Sequence, residues 1–137
     1  MAYFLFKTEP SAYSYEDLVR DKRTVWEGVS NATALIHLRT AAKGDRVVIY
    51  HTGAVKSAVG LAKVTRGAYP DPKLGDPKRV VVDLSPERAL ATPVPLASFR
   101  ADAVLKHTDL VRITRLSIVK LDAAQFERVL ALGGVKP

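Results

Sequence analysis

The sequence predicts an α+β domain with a mainly β core, most simply a small barrel with helices packed on its outside. Three observations indicate this class. The predicted elements follow the order strand, helix, helix, a run of strands and a final helix. The length of 137 residues and the hydrophobic content of 47% suffice for one buried core but not for two. The chain also has no internal repeat, so we expect a single domain over residues 1–137.

The chain begins with an aromatic and apolar segment, Tyr3–Phe6, that does not alternate in polarity. This pattern is typical of a strand buried on both faces. Polar residues and Pro10 end it, because proline removes a ladder donor. Ser14 and Asp17 then form a capping-box pattern, which predicts a short helix from Tyr15 to about Asp21.

The next predicted helix follows an irregular segment, Val25–Val29, which is too short and too interrupted by glycine to be a regular helix. Asn31 can cap a helix predicted over Ala32–Ala42. The residues at helical spacing that predict its buried face are Leu35, Leu38 and Ala42.

A hairpin is predicted near the middle of the sheet. Gly44 suits the positive φ of a turn after a helix, and Arg46–His51 follows as a strand that we expect to be central. Thr52–Ser57 is the predicted loop, and Ala58–Val64 returns as the partner strand. Gly60 within that strand predicts a bulge or a close backbone approach.

Prolines shape the following part of the chain. Gly67–Lys78 holds three prolines and two glycines, so we expect a structured surface loop rather than a helix or a central strand. Arg79–Leu84 is the next predicted strand. Thr92–Leu96 is predicted as an extended crossing held open by its prolines, and Leu96–Phe99 as a helical turn.

The C-terminal part is predicted to end in a strand region and a helix. The strand region comprises Asp109–Ile113 and Leu116–Leu121. Asp122, with Gln125 three residues later, caps a helix predicted over Ala123–Leu132. Two glycines follow and end that helix.

The charge balance favours a polyanionic partner. The chain has 21 Lys and Arg against 14 Asp and Glu, which gives a net charge of +7 and an isoelectric point near 9.8. The excess is spread along the sequence, so folding must assemble any basic patch; ordinary solvated surface charge is the alternative. A mean hydropathy of +0.02 argues against disorder and against membrane spanning, and we expect no membrane partner.

The residue types exclude several kinds of site. With no cysteine, the chain has no disulfide, thiolate zinc site or thiol nucleophile. His37, His51 and His107 lie far apart without ligand-pair spacing, so we expect no metal. Phosphate-cradling and dinucleotide-binding glycine motifs are absent, so we expect no cofactor. The N-terminus lacks the basic leader of a signal peptide, and we expect a cytoplasmic protein.

Three polar and aromatic clusters stand at predicted strand ends or loops: Lys7-Thr8-Glu9, Trp26–Asn31 and Tyr50-His51-Thr52. Together they contain what a nucleobase pocket needs, namely a flat aromatic ring, groups that bind the Watson-Crick edge and cations for phosphate. The alternative is that the lone tryptophan is core packing and that the charged strand ends only mark where the core stops.

Six segments carry a family resemblance and run through the whole chain in order. They are Tyr3–Ser11, Trp26–Asn31, Tyr50–Thr52, Val59–Ala62, Ala68–Pro72 and Arg115–Ile118. On these segments the chain closely resembles the EVE domain family. The resemblance implies a PUA-like fold, which is a mixed β pseudo-barrel flanked by helices. It also implies recognition of a modified base, notably modified cytosine, so the implied partner is DNA or RNA that carries such a base.

The resemblance assigns residues from several parts of the chain to a pocket for that base. Those residues are Lys7, Thr8, Trp26, Gly28, Asn31, Tyr50, His51, Thr52 and Tyr69. Trp26 would line one wall, Asn31 and the strand end Tyr50–Thr52 would form the opposite side, and Tyr69 would border the opening. Lys56 is a separate prediction, because its charge and its place in a hairpin loop suggest a phosphate contact.

The chain departs from the family pattern at three places. The family usually has Arg where this chain has Ser30, and an Ala-Arg-Asn run where this chain reads Ala34-Leu35-Ile36. These two departures remove cationic or amide groups, so they bear on which ligand is bound. Thr52 stands where Ser is common and keeps the hydroxyl.

Two functions from different classes remain open. The first is a non-enzymatic reader that takes an extruded modified base into a preformed pocket. The second is a small hydrolase of the related ASCH type, in which Lys, Thr and Glu act on an acylated or otherwise modified nucleoside. Lys7, Thr8 and Glu9 supply those residue types, but successive strand residues point to opposite faces, which argues against a ready catalytic triad.

Overall fold

The computed structural model describes residues 1–136, which form a mixed sheet with helices packed on it. The strands are β1 (Tyr3–Thr8), β2 (Thr24–Trp26), β3 (Arg46–His51), β4 (Ser57–Pro70), β5 (Val80–Pro95) and β6 (Ile118–Leu121). The helices are α1 (Tyr15–Asp21), α2 (Ala32–Arg39), α3 (Leu96–Ala101), α4 (Asp109–Arg112) and α5 (Ala123–Leu132), with a single 3-10 turn at Leu105–His107. The α+β class predicted from the sequence is confirmed. No helix among these residues is both long and apolar enough to cross a membrane.

The strand order across the sheet is β2-β5-β4-β3-β1-β6. β1 and β3 run parallel, while the other neighbouring strands are antiparallel. The register places Lys7 opposite Tyr50 and Thr8 opposite His51. Two of the predicted clusters therefore meet at one edge of the sheet, because parallel strands end at the same edge. The inner position of β3 confirms that it is a central strand.

β4 and β5 are much longer than predicted, at 14 and 16 residues. Residues 67–70 continue β4 instead of opening the loop, and residues 92–95 belong to β5 instead of a separate crossing. Several register shifts between these strands mark bulges that bend the pair. β2 pairs only with Val82–Leu84, so Pro86, Pro93 and Pro95 lie where one edge of β5 has no strand neighbour. A proline costs no ladder hydrogen bond on such an edge.

Two further predictions need correction. The sequence predicts Asp109–Ile113 as strand, but Asp109–Arg112 is the helical turn α4, which begins after Thr108 and buries Leu110. A short apolar run does not by itself distinguish helix from strand. α2 ends at Arg39 rather than Ala42, because the hydroxyl of Thr40 donates to the His37 carbonyl at 2.7 Å and the chain turns away.

The bounds of α1 and α5 match the prediction, and local capping explains why. Ser14 and Asp17 form a reciprocal capping box at the start of α1, and Asp122 and Gln125 form one at the start of α5. The backbone amide of Gly133 bonds to the Val129 carbonyl as α5 ends.

Gly60 combines a bulge with a close approach, as predicted. The register of β4 shifts between Ala58 and Gly60, and a Cβ atom on Gly60 would lie 2.4 Å from ring carbons of Tyr15. The Tyr15 hydroxyl donates to the Leu61 carbonyl at 2.8 Å, so α1 lies directly against β4. This contact fixes the segment between β1 and α1, which borders the candidate site.

Candidate functional site

Two cavities open where β1 and β3 end, and the side chain of Lys7 lines both. The first, here called the Trp26 cavity, has a volume of about 360 Å³. It is lined by Lys7, Thr8, Ala12, Tyr13, Thr24, Val25, Trp26 and Glu27. The second, here called the Arg100 cavity, has a volume of about 250 Å³. It is lined by Lys7, Tyr50, Thr52, Gly53, Lys56, Leu96, Arg100, Leu110 and Thr114.

Trp26 belongs both to the core and to a cavity wall. It is the last residue of β2 and is only 8% exposed. Its ring packs against Phe6 with the centroids 5.6 Å apart and meets the ring of Tyr13 edge-on at 6.3 Å. The surface that these contacts leave uncovered lines the Trp26 cavity. The two interpretations of this tryptophan, core packing and pocket wall, are therefore compatible.

The segment between β1 and α1 forms another side of the Trp26 cavity. The Thr8 hydroxyl donates to the Tyr13 carbonyl at 2.7 Å, and the Tyr13 hydroxyl donates to Asp21 at 2.8 Å. Burial raises the pKa of Tyr13, so the phenol keeps its proton at neutral pH. Sequence reasoning missed Tyr13, although it is an aromatic residue close to a predicted strand end. It brings a second ring to the cavity.

Lys7 joins the two cavities. It is half-buried near the end of β1, and its Nζ donates to the carbonyl of Thr114 at 2.9 Å. Burial lowers its pKa, because removal of water disfavours the charged amine. The Lys7 side chain therefore borders both a cavity that contains two aromatic rings and a cavity that contains two further cations.

The stretch Trp26–Asn31 reaches the cavity only at its beginning. Glu27 lines the Trp26 cavity, and its carboxylate pairs with Nζ of Lys73 at 3.1 Å. Gly28 has a φ of 83° and lines neither cavity. Asn31 caps α2, since its side-chain oxygen accepts from the amide of Ala34 at 3.0 Å. The structure therefore gives Gly28 and Asn31 roles in shaping the chain and does not place them on the cavity wall.

The cluster at the end of β3 divides between the core and the second cavity. Tyr50 and Thr52 line the Arg100 cavity. His51 is 5% exposed, and its Nε2 accepts from the amide of Tyr15 at 3.0 Å. Burial lowers the pKa of His51, with weaker opposing effects from Glu16 and Glu9. This imidazole is accordingly held neutral as a structural acceptor.

Two residues singled out in the sequence lie away from the Trp26 cavity. Lys56, in the β3–β4 loop, lines the Arg100 cavity. Tyr69 lies on β4, lines neither cavity, bonds through its hydroxyl to Asp83 and has the Arg66 guanidinium 3.7 Å above its ring. Arg100 on α3 is a cavity residue that sequence reasoning missed, because no local pattern ties α3 to β1.

The residues of a possible hydrolytic triad each have a different partner. The Lys7 amine binds Thr114, the Thr8 hydroxyl binds Tyr13, and the Glu9 carboxylate accepts from the amide of Ser11 at 2.7 Å. No hydrogen bond joins any two of the three side chains within the described residues. Residues 1–136 also contain no group of three or more His, Cys, Asp or Glu that could hold a metal ion.

Comparison with known proteins gives a consistent family assignment. The family model described as the EVE domain matches residues 2–132. Human thymocyte nuclear protein 1 (THYN1) is 28% identical over an alignment 170 positions long. The alignment covers 99% of this chain and 76% of that protein. The NMR structure of Rpa0253 from Rhodopseudomonas palustris has a TM-score of 0.93 and 37% identity, with 98% of this chain and 94% of that chain covered.

A structure of human THYN1 was determined in complex with DNA that contains 5-methylcytosine. It matches with a TM-score of 0.89 and 29% identity and covers 100% of both chains. A mutant of the ASCH protein from Zymomonas mobilis matches with a TM-score of 0.62 and 15% identity over 95% of this chain and 97% of that one. At that identity the likeness is one of fold.

Proposed function

The chain belongs to the EVE domain family and has its PUA-like α+β fold, and from that premise we propose that it is a non-enzymatic module that reads a modified base in DNA. The base would enter the Trp26 cavity, and a modified cytosine is the proposed class. The human relative bound to 5-methylcytosine DNA, similar over the full length of both chains, is the observation that carries this proposal.

The size and lining of the Trp26 cavity support the proposal. Its volume of about 360 Å³ lies within the roughly 300–1,000 Å³ of small-molecule sites. Trp26 and Tyr13 supply aromatic surface, while Thr8 and Thr24 supply hydroxyl groups. An extruded base would thus meet apolar and polar groups in one partly enclosed space.

Base extrusion costs a few kcal/mol, and stacking on an aromatic side chain returns about 1–3 kcal/mol per base. Hydrogen bonds to the base edge must therefore contribute as well. Glu27 lines the cavity, and its carboxylate is paired with Lys73. A carboxylate accepts from the exocyclic amine of cytosine, so we assign recognition of that amine to Glu27.

A hydrolase of the ASCH type is the second candidate, and it receives less support. The ASCH protein is similar to this chain in fold but only 15% identical in sequence. The side chains of Lys7, Thr8 and Glu9 also bind separate partners. A threonine hydroxyl that has no base within hydrogen-bond reach is a weak nucleophile.

The proposal is tested by titrating DNA and RNA oligonucleotides of one sequence at one stated salt concentration. Each oligonucleotide would carry cytosine, 5-methylcytosine or another modified base at one position. We expect tighter binding of a modified-cytosine DNA than of its unmodified counterpart. Equal affinity across the whole panel would reject the proposed reader function. A preference for modified RNA would show that the nucleic acid it reads is RNA and not DNA.

A further inference from the structure

Three cations from three separate elements converge on the Arg100 cavity. Lys7 comes from β1, Lys56 from the β3–β4 loop and Arg100 from α3. Within residues 1–136 the ion pairs involve other side chains, so none of these three cations has a carboxylate within 4.0 Å. Like charges around one cavity repel each other, and a bound anion relieves that repulsion.

An acidic side chain, Glu9, lies near this cavity without lining it. A Cβ atom on Gly53 would lie 3.0 Å from a carboxylate oxygen of Glu9, so that carboxylate lies close to the cavity. It accepts hydrogen bonds from both the amide and the hydroxyl of Ser11. Both of those bonds go to the carboxylate oxygen that does not face Gly53, but within residues 1–136 the Glu9 carboxylate forms no ion pair with Lys7, Lys56 or Arg100.

The remaining lining fits a tetrahedral anion that carries organic groups. Tyr50 and Thr52 add hydroxyl donors, and burial raises the pKa of Tyr50, so its phenol stays protonated. Leu96 and Leu110 add apolar surface. Cations and hydroxyl donors are the usual partners of phosphate oxygens, while apolar side chains suit the sugar carbons beside them.

We propose that the Arg100 cavity binds the phosphodiester adjacent to the base held in the Trp26 cavity. This inference rests on the proposed function. Lys7 lines both cavities, so the base and its neighbouring phosphate bind on either side of the Lys7 side chain. The true ligand is then a nucleotide within a strand, and a free modified nucleoside binds only to half of the site.

The test replaces single phosphates of a modified oligonucleotide by neutral methylphosphonates, one at a time, on the 5′ and the 3′ side of the modified base. The proteins compared are the wild type, Arg100→Gln, Lys56→Gln and the control Lys63→Gln. Lys63 is an exposed cation that pairs in register with Arg46, at the opposite end of β3 from the cavity.

We expect one methylphosphonate position to weaken wild-type binding by about tenfold, as for loss of a charge-assisted hydrogen bond. Arg100→Gln should lose a similar factor and should then be insensitive to that same replacement. The slope of log K against log salt should fall by about 0.7–0.9 for the loss of one phosphate contact. Lys63→Gln should stay as sensitive to the replacement as the wild type.

The outcomes separate the two proposals. If the wild type binds modified and unmodified strands equally, the proposed function fails. If the wild type prefers the modified strand but tolerates a methylphosphonate at every flanking position, the proposed reader function is kept and the proposed phosphate site in the Arg100 cavity is rejected. The same rejection follows if Arg100→Gln and Lys56→Gln are indistinguishable from Lys63→Gln.

Discussion

The ring of Trp26 packs against the ring of Phe6 with the centroids 5.6 Å apart, so the wall of the first cavity is continuous with the core of the sheet. Phe6 is fully buried in β1, one residue before Lys7. A side chain supported in this way is held in one orientation, which lowers the entropic cost of binding a planar ligand. The same arrangement couples ligand binding to stability.

Trp26→Ala should therefore affect both properties. We expect a loss of about 3–5 kcal/mol in the free energy of unfolding, measured by urea titration, together with loss of modified-base binding. Phe126→Ala is the matched control, because Phe126 is 1% exposed and packs against Tyr3 at the other end of β1. The Phe126→Ala protein should lose a comparable free energy of unfolding and should still bind the modified base. If both folded variants bind equally well, Trp26 is not part of the base site.

Gly60→Ala tests the contact between α1 and β4. The new methyl group would lie 2.4 Å from the ring of Tyr15, and overpacking of this kind costs about 1–3 kcal/mol. Tyr15→Ala removes the ring, so the two substitutions should be strongly non-additive in urea unfolding. Simple additivity would mean that the sheet absorbs the methyl group without moving Tyr15.

The sequence is most informative where structure is determined locally. The capping residues Ser14 and Asp122 sit directly at helix starts, and the helices they predict have the observed bounds. The long strands β4 and β5 exceed their predicted lengths, since their prolines suggest interruption. Whether a proline is tolerated depends on whether a neighbouring strand needs its amide, and that is a property of the assembled sheet.

The candidate site shows the same division. The parallel pairing of β1 and β3 brings Lys7 beside Tyr50, as clusters at two strand ends suggest. The sequence predicts one pocket, but the predicted residues divide between two cavities, since Thr8 and Trp26 line one while Tyr50 and Thr52 line the other. Arg100 could not be foreseen, since its place depends on how α3 packs beside the β3–β4 loop.

His51 predicts a pH dependence of stability. Burial lowers its pKa in the folded protein, while the unfolded chain has a value of about 6.5. Between the two values the unfolded chain binds more protons, so the stabilisation is complete above about pH 6.5 and is lost as the pH falls through the folded pKa. Urea unfolding from pH 8 to pH 5 measures this loss.

The contribution of His51 is isolated by His51→Gln, which keeps an acceptor for the Tyr15 amide but does not titrate. We expect a flatter stability profile between pH 5 and 7 for this variant. His37 also has a pKa lowered mainly by burial, so His37→Gln serves as the comparison. A profile that His51→Gln leaves unchanged would assign the dependence to other groups.

The side chains of Lys7, Thr8 and Glu9 bind separate partners and not one another, which predicts that the protein is not a deacylase. Incubation with an N4-acylated cytidine should give no free cytidine by chromatography, beyond the rate without protein. Thr8→Val, which removes the hydroxyl at nearly constant volume, should behave identically. Turnover that the wild type supports and Thr8→Val abolishes would establish the hydrolase instead.

Glu27 tests which edge of the base is read. Glu27→Gln replaces one carboxylate oxygen by an amide donor, which weakens acceptance from the exocyclic amine of cytosine. We expect about tenfold weaker binding of a modified-cytosine oligonucleotide, in line with loss of a hydrogen bond to a charged group.

Lys73→Gln is the matched control, because it removes only the partner of this exposed pair, and exposed pairs contribute little. Equal affinities of Glu27→Gln and Lys73→Gln would show that Glu27 borders the cavity without contacting the base. A selective loss in Glu27→Gln would make the exocyclic amine part of what the cavity recognises, since removal of a negative charge by itself favours binding of a polyanion.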